Sequence, residues 1–409
     1  MLRPYRAILS RPGALSFSAA GLVARLPISM VGIGIVLMVS ELYGSYGMAG
    51  RVSAVYVVVQ ALCAPRLAGL VDRHGQARVM RPALAVACLG LVGLIVAAVA
   101  GSPEWVLHVT AAVGGSTIGS MGAFVRARWA LIVKDGRELH TAYSLESALD
   151  ELTFVVGPVL ATILATSVTP WSALVVPLAG AFLGGYWFLS QRATEPVPSP
   201  RVEGEARTSV IGSAGMLAVA AVFLGTGAIF GGVDVSVVAF AEEQGNKALA
   251  GPVLGTFALG SLISGLLYGA RHWLSPLWLR FLVGVCVLAA GVSMFFLVTS
   301  LAVLAAVGFV AGFAIAPTVI NGNAIVQALV PARRLTEGLT WLGASIGIGV
   351  SAGSSLAGMA VDASGSHGGF AVVAGAAGFA VVAALTGART LATRTRTEPL
   401  IEPAPLADG

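Results

Sequence analysis

About twelve stretches of this 409-residue chain run on with almost no charge, each near the roughly 20 apolar residues that a helix needs to cross a bilayer. They lie near 14–39, 48–71, 80–101, 105–133, 144–168 and 171–190, then near 212–238, 249–270, 277–298, 301–329, 337–361 and 368–388. In hydrocarbon a backbone must satisfy its own hydrogen bonds, so spanning segments of this length are helices. The expected fold is an all-α integral membrane protein with twelve transmembrane helices. Only 11% of the residues are charged, against roughly a quarter in soluble proteins, and the mean hydropathy is +0.89. Soluble enzymes and disordered chains are excluded.

Most connections are a few residues long, which makes neighbouring helices antiparallel. The longer one, from Gln191 to Ser209, mixes Pro, Glu and Arg and cannot span. It divides the chain into an N-terminal six-helix half (1–190), a cytoplasmic linker (191–210), a C-terminal six-helix half (211–390) and a cytoplasmic tail (391–409). The apolar stretch after Arg3 and Arg6 is too long for a signal peptide and holds Arg25, so it reads as the first span. With the N-terminus inside, eighteen of the 24 basic residues fall on that side, and only Arg51 and Lys247 fall outside. The positive-inside rule then places both termini in the cytoplasm. Topology thus accounts for the basic pI of about 9.4, and nucleic acid is not an expected partner. A chain rich in Ala, Gly and Val whose only lysines are Lys134 and Lys247 points to a GC-rich bacterial genome, hence to a bacterial inner (plasma) membrane. Cys63, Cys88 and Cys286 sit in apolar runs, and three cysteines give no disulfide framework.

The halves echo each other. Leu152-Thr153-Phe154 in the fifth span resembles Leu339-Thr340-Trp341 in the eleventh, and Gly69-Leu70 resembles Gly265-Leu266. Repeats at matching positions point to two pseudo-symmetric six-helix bundles with a transport site between them.

The strongest local motif is Ala68-Gly69-Leu70-Val71-Asp72-Arg73-His74-Gly75-Gln76-Ala77-Arg78, between the second and third spans. It sets an acid at a helix end, a base beside it and a glycine for a tight reversal, a group able to latch one side of the two halves. Here the chain resembles the major facilitator superfamily, whose signature in this loop is a Gly, a Leu, Asp-Arg, a Gly and a basic pair. Leu70, Asp72, Arg73 and Gly75 match; Ala68 replaces a Gly, Gln76 and Ala77 replace the basic pair, and Arg78 lies one place later. The resemblance implies a latch made by Asp72, Arg73, Gly75 and Arg78. Gly157-Pro158 in the fifth span looks like the core of the superfamily's antiporter motif, although Ala161-Thr162 stand where Gly-Gly is usual. Read from its residues alone, the pair is a helix kink.

Apart from Arg51, Arg81, Arg280 and Glu337 at the span ends, eight charged residues lie within spans: Arg25, Arg66, Arg126, Arg128, Glu146, Asp150, Glu151 and Asp234. A charge at the bilayer centre costs at least ~2.5 kcal/mol, so such residues face a cavity or each other. Counting at about 1.5 Å per residue from the inner ends puts Asp150 and Glu151 near 10 Å and Arg126 near 11 Å. Arg126 and Arg25 are therefore candidate partners of these acids. Adjacent positions point about 100° apart, so Asp150 and Glu151 cannot both face one partner. Arg25, Arg126, Asp150, Glu151 and Asp234 form the candidate buried charge network or proton-coupling set. Arg66 and Glu146 are expected at the interface. Gln60, Asn321, Asn323 and Trp341 are candidate substrate lining, with Gln327 and Trp129 as further polar and stacking surfaces, although amides in spans also serve to link helices.

The expected function is secondary active transport by alternating access, with proton-coupled efflux of a small organic compound as the first reading and proton-coupled uptake of a small metabolite as the alternative. The expected partners are that small molecule, protons and membrane lipid, with the protein acting as a monomer. From another class, a membrane-embedded enzyme would need a catalytic constellation. The sequence contains no His-Glu-x-x-His and no phosphate-cradling Gly-Lys-Ser/Thr motif, and no Gly-x-Ser-x-Gly elbow followed by a suitable triad; its five histidines have no ligand spacing. No enzyme activity, cofactor or metal is expected. A non-transporting membrane sensor would call for an added soluble domain.

Overall fold

The structure, a computed structural model, describes residues 3–198, 210–246, 249–271 and 273–394. Among these, ten helical segments are long and apolar enough to cross a membrane, and twelve spans emerge once two local breaks are understood. The segment Ala332–Arg394 holds two helices joined at Gly365, whose φ of 70° and ψ of −170° are not helical. Only glycine adopts such a backbone freely. The fourth span is split into Glu104–Thr117 and Met121–Ile132, each half too short to cross alone. The tenth breaks likewise, between Leu301–Gly312 and Ile315–Leu329.

The first span runs Ala14–Tyr43, longer than expected, with a local break at Arg25. Pro27 follows and has no N–H to continue the ladder. The second is Tyr46–His74 and the third Gln76–Val99. The fifth, Gly136–Ser167, starts eight residues before the expected position because Asp135 caps it, accepting from the backbone N–H of Arg137 (2.8 Å) and Glu138 (3.1 Å). The sixth is Pro170–Ser190, the seventh Ala214–Glu243, the eighth Ala250–Gly269 and the ninth Leu277–Leu297. The eleventh and twelfth occupy 335–364 and 366–394 on either side of Gly365. A short helix, Arg3–Leu9, precedes the first span.

Glycines set how closely the spans pack, as expected where lipid removes the hydrophobic drive and van der Waals fit must hold helices together. A Cβ added at Gly115 of the fourth span would strike the Tyr56 carbonyl of the second; one at Gly312 of the tenth would strike the Phe257 carbonyl of the eighth. The halves therefore repeat the same close crossing, and the fourth and tenth spans both break just after it. In the C-terminal half Gly227, Gly231, Gly349 and Gly353 interleave along the seventh and eleventh spans, each against backbone of the other helix. Gly157 sits instead against the side chains of Ser29 and Met30 of the first span, while Pro158 sits inside a helix that continues to Ser167.

This packing yields a direct test. In the eleventh span, Gly353→Ala should destabilise the protein by ~1–3 kcal/mol through overpacking against Ala228. Gly347→Ala, with nothing within 4 Å of the added methyl, should be neutral or stabilising by up to ~1 kcal/mol. Thermal unfolding of the two purified variants in one detergent checks the contrast; equal melting temperatures would refute it.

Candidate functional site

Four charges converge within the N-terminal half. Glu146 and Asp150 are four positions apart on the fifth span and so share a face. Arg25, at the break in the first span, reaches both. It ion-pairs with Glu146, and its Nη1 donates to Asp150 Oδ1 at 2.7 Å. Arg126 of the fourth span donates through Nη2 to the other oxygen, Asp150 Oδ2, also at 2.7 Å. Glu146 additionally accepts from Ser18 Oγ and from the Trp129 indole Nε1, both at 2.7 Å. Its side chain is fully buried, whereas that of Asp150 is 29% exposed. Glu146 is therefore not interfacial as expected. The fifth helix starts at Gly136, so Glu146 lies about 15 Å along it at 1.5 Å per residue, deep enough to need a cation. Trp129 is likewise core, wholly buried with its edge against Phe17, and offers no stacking surface.

Arg126 and Arg128 point about 200° apart on one helix, and they serve different purposes. Arg128 is buried, stacks on Phe188 and donates to Gln76 Oε1 (2.8 Å), the Gln191 carbonyl (2.8 Å) and Thr194 Oγ1 (2.9 Å). It ties the third, fourth and sixth spans together.

The two halves meet at the end that carries the Asp72 loop. Asp72 Oδ2 accepts from the backbone N–H of Glu337 at 2.9 Å, in the first turn of the eleventh span, where N–H groups lack helical partners and a negative charge is favoured. Glu337 is itself held by Arg334, through Nη2 at 2.9 Å. Between the fifth and eighth spans, Thr141 Oγ1 donates to the Gly269 carbonyl (2.8 Å) and Ser261 Oγ donates to Glu151 Oε1 (2.7 Å). The Tyr5 hydroxyl of the N-terminal helix donates to the Leu266 carbonyl at 2.6 Å.

Beyond these contacts the halves part. From Leu152 to Ser167 the buried residues of the fifth span are Thr153, Gly157 and Ala161, one stripe against the first span. In the eleventh, nearly every residue from Leu335 to Leu342 is buried, but past Ser345 only Gly349, Gly353 and Ala357 are, along the seventh span. The structure is closed at the Asp72 end and open at the other. Glu151 makes the outermost hydrogen bond between the fifth and eighth spans, at the floor of the opening, and no ion pair among the described residues. Asp150 turns toward the arginines of its own half and Glu151 toward the other half.

The remaining expected residues are scattered. Asp234 is exposed on the outer part of the seventh span and makes no hydrogen bond or ion pair among the described residues. Gln60 is half-buried, and the indole N–H of half-buried Trp341 has no hydrogen-bond partner among the described residues. Asn321 is fully buried and bonds the Tyr268 hydroxyl (Nδ2 to Oη, 2.9 Å), while Asn323 donates to the Val319 carbonyl. These two amides link structure and do not line the opening. In the loop motif, Gly75 has φ 95°, a conformation that demands glycine. Arg73 and Arg78 form no ion pair among the described residues; the Asp72 carboxylate hydrogen-bonds across to the other half, and Gly69 lies beside the Glu337 side chain. Gln76 and Glu195 hold the loop, Glu195 accepting from Ala77 N at 2.8 Å. Sequence reasoning missed Glu337, Arg334 and Ser261. Arg333-Arg334 followed by Glu337 at a helix start was the available sign of the first two.

A family model for the Major Facilitator Superfamily matches residues 17–300. No curated protein matches the sequence. Among solved structures, the human organic anion transporter MFSD10 (TETRAN) superposes with a TM-score of 0.71 at 15% identity, covering 91% of this chain and 100% of that one. A bacterial homologue of the iron transporter ferroportin in its outward-facing state gives 0.72 at 13%, covering 92% and 99%. The E. coli fucose:proton symporter FucP gives 0.70 at 13%, covering 93% and 99%. At these identities the likeness is one of fold.

The charge network predicts unequal costs. Glu146→Gln leaves Arg25 short of one partner in a fully buried setting and should destabilise the protein by ~3–5 kcal/mol. Asp150→Asn, at a site open to the cavity, should cost less. Thermal unfolding of the purified variants checks the order, and a Glu146→Gln variant as stable as the parent would show that the pair is not structural.

Proposed function

The chain belongs to the major facilitator superfamily and is a secondary transporter, and on that premise we propose that it exports a small organic compound in exchange for protons. The observation that carries this reading is Glu151, a half-buried acid with no ion pair among the described residues, whose hydrogen bond joins the halves at the floor of the open cavity. Asp150 is already balanced by Arg25 and Arg126, so the residue free to change charge is Glu151.

Basic residues concentrated at the closed end support an assignment of that end, and of both termini, to the cytoplasm, in the inner membrane of a bacterial cell. The cavity then opens outward. A proton arriving from outside converts the Ser261 bond from charge-assisted to neutral. Charge-assisted bonds contribute ~1.5–3 kcal/mol and neutral ones ~0.5–1.5. The loss is enough to shift a two-state gate by about tenfold. The inner side then opens, the proton leaves to the cytoplasm, and the compound enters the vacated cavity for the outward stroke. The close seat of Gly157-Pro158 against Ser29 and Met30 keeps the fifth span on the first, so the two move as one body. Asp72 on the N-terminus of the eleventh span is the latch of the closed side. One polypeptide supplies both halves and acts as a monomer.

Two experiments test this. A susceptibility screen of cells with and without the protein, over a panel of lipophilic dyes and antibacterial compounds, identifies the compound and its direction; uptake in place of resistance would establish the symport alternative. In liposomes loaded with a pH-sensitive dye and driven by that compound, Glu151→Gln should cut coupled proton movement at least about tenfold with the protein still folded. Proton movement at the parent rate would remove Glu151 from the role. For the latch, Asp72→Asn loses the charge at the helix terminus, worth ~0.3–2 kcal/mol. It should lower thiol labelling, by shifting the gate, of a Val155→Cys probe, exposed one turn beyond Glu151 on the same face of the fifth span, and unchanged labelling would overturn the latch.

A further inference from the structure

A groove of about 690 Å³ lies on the closed end, between the N-terminal half and the start of the linker. The end of the second span contributes His74, the first turns of the third contribute Arg78 and Arg81, and the segment after the sixth contributes Arg192, Glu195 and Pro196–Pro198. Three guanidinium groups thus face one carboxylate, and that carboxylate is already occupied. One Glu195 oxygen accepts from Ala77 N (2.8 Å) and the other from Arg192 Nη1 (3.0 Å). Arg78 has no hydrogen bond or ion pair among the described residues. Arg81 donates through Nη2 to the Leu189 carbonyl (3.2 Å), but its Nε is buried without an acceptor. Arg128, bonded to Gln191 and Thr194 beneath the same turn, adds a further positive charge. Topology explains why basic residues stand on this side of the membrane. It does not explain why three converge on one groove with donors left unmatched.

The rim shows what sort of anion belongs there. Pro82, Pro196 and Pro198 are apolar, and Val197 on the same edge is 78% exposed. Trp187, on the last turn of the sixth span, is also exposed, as interfacial tryptophans at headgroup level are. A soluble phosphate has no use for an apolar edge. A phospholipid places glycerol and the first methylenes against it while its phosphate meets the arginines, the arrangement by which basic pockets at helix ends take anionic headgroups. We propose that this groove binds the phosphate of one anionic phospholipid from the adjoining leaflet, with Arg78, Arg81 and Arg192 as its ligands. The bound lipid fixes the loop that carries Asp72 and Gly75, independently of which compound is transported.

The test is native mass spectrometry of the full-length protein titrated with phosphatidylglycerol or phosphatidylethanolamine, with inorganic phosphate as competitor. One phosphatidylglycerol should bind at least about tenfold more tightly than phosphatidylethanolamine, given ~1 kcal/mol per arginine. Arg78→Gln with Arg81→Gln should abolish that preference. Arg78→Lys with Arg81→Lys, which keeps the topogenic charge, should retain it, as should Arg6→Gln on the same side but outside the groove. Arg192→Gln, beyond the spans, should weaken it should the double glutamine variant fail to insert. A preference unchanged in the glutamine variants would overturn the site. Displacement of the lipid by millimolar inorganic phosphate would overturn the lipid and assign the groove to a soluble anion.

Discussion

An ionised group in hydrocarbon must find a counter-charge or water, and the N-terminal half is arranged around that requirement. Arg25 stands where Pro27 interrupts the first span. From there it closes onto Glu146 and Asp150, which helical spacing stacks on one face of the fifth. Arg126 takes the remaining Asp150 oxygen. Three spans are thereby fixed at one depth, and the fifth cannot rotate without stranding a buried charge. Because Asp150 is held in this way, its neighbour Glu151 is turned toward the other half.

Close backbone approach does for the C-terminal half what charge does for the N-terminal one. The seventh and eleventh spans touch along Gly227, Gly231, Gly349 and Gly353, and Glu243 at the end of the seventh accepts from Ser366 N at 2.7 Å, starting the twelfth. Each half is internally tight. The contacts between halves are fewer and lie at one end, which is what a rocking motion between two rigid bodies requires.

The spans were legible because their lengths match the bilayer and nothing else explains so little charge. The breaks were less so. Gly114-Gly115-Ser116-Thr117-Ile118-Gly119-Ser120 is apolar enough to pass for continuous helix, and the left-handed Gly119, φ 72°, followed by non-helical Ser120, interrupts it. Glu146 was misplaced for a related reason. The apolar run suggests an end near Ser144, whereas the helix starts at Gly136 after the Asp135 cap, ten residues before Glu146. Asn321 looked like cavity lining because an amide in a span carries no sign of its partner, and Tyr268, which satisfies it, comes from another helix. The opposed directions of Asp150 and Glu151 follow from helix geometry alone; that Ser261 would meet Glu151 does not, since it depends on the register between halves.

The halves share their helix geometry but not their chemistry. The fourth and tenth spans break in the same place, and Thr153 and Thr340 each bond the carbonyl four residues back, yet the ionised cluster has no counterpart in the C-terminal half. In that half Asp234 is exposed on the seventh span with no partner among the described residues, and at the crossing point stands a serine hydroxyl. A hydroxyl donates to a carboxylate and accepts from a carboxylic acid, so Ser261 can follow a change at Glu151 without a charge of its own to bury. With the Arg25, Arg126, Glu146 and Asp150 cluster held inside one half, the other half can move by exchanging hydrogen bonds across the gap, those of Ser261 with Glu151 and of Thr141 with Gly269 among them.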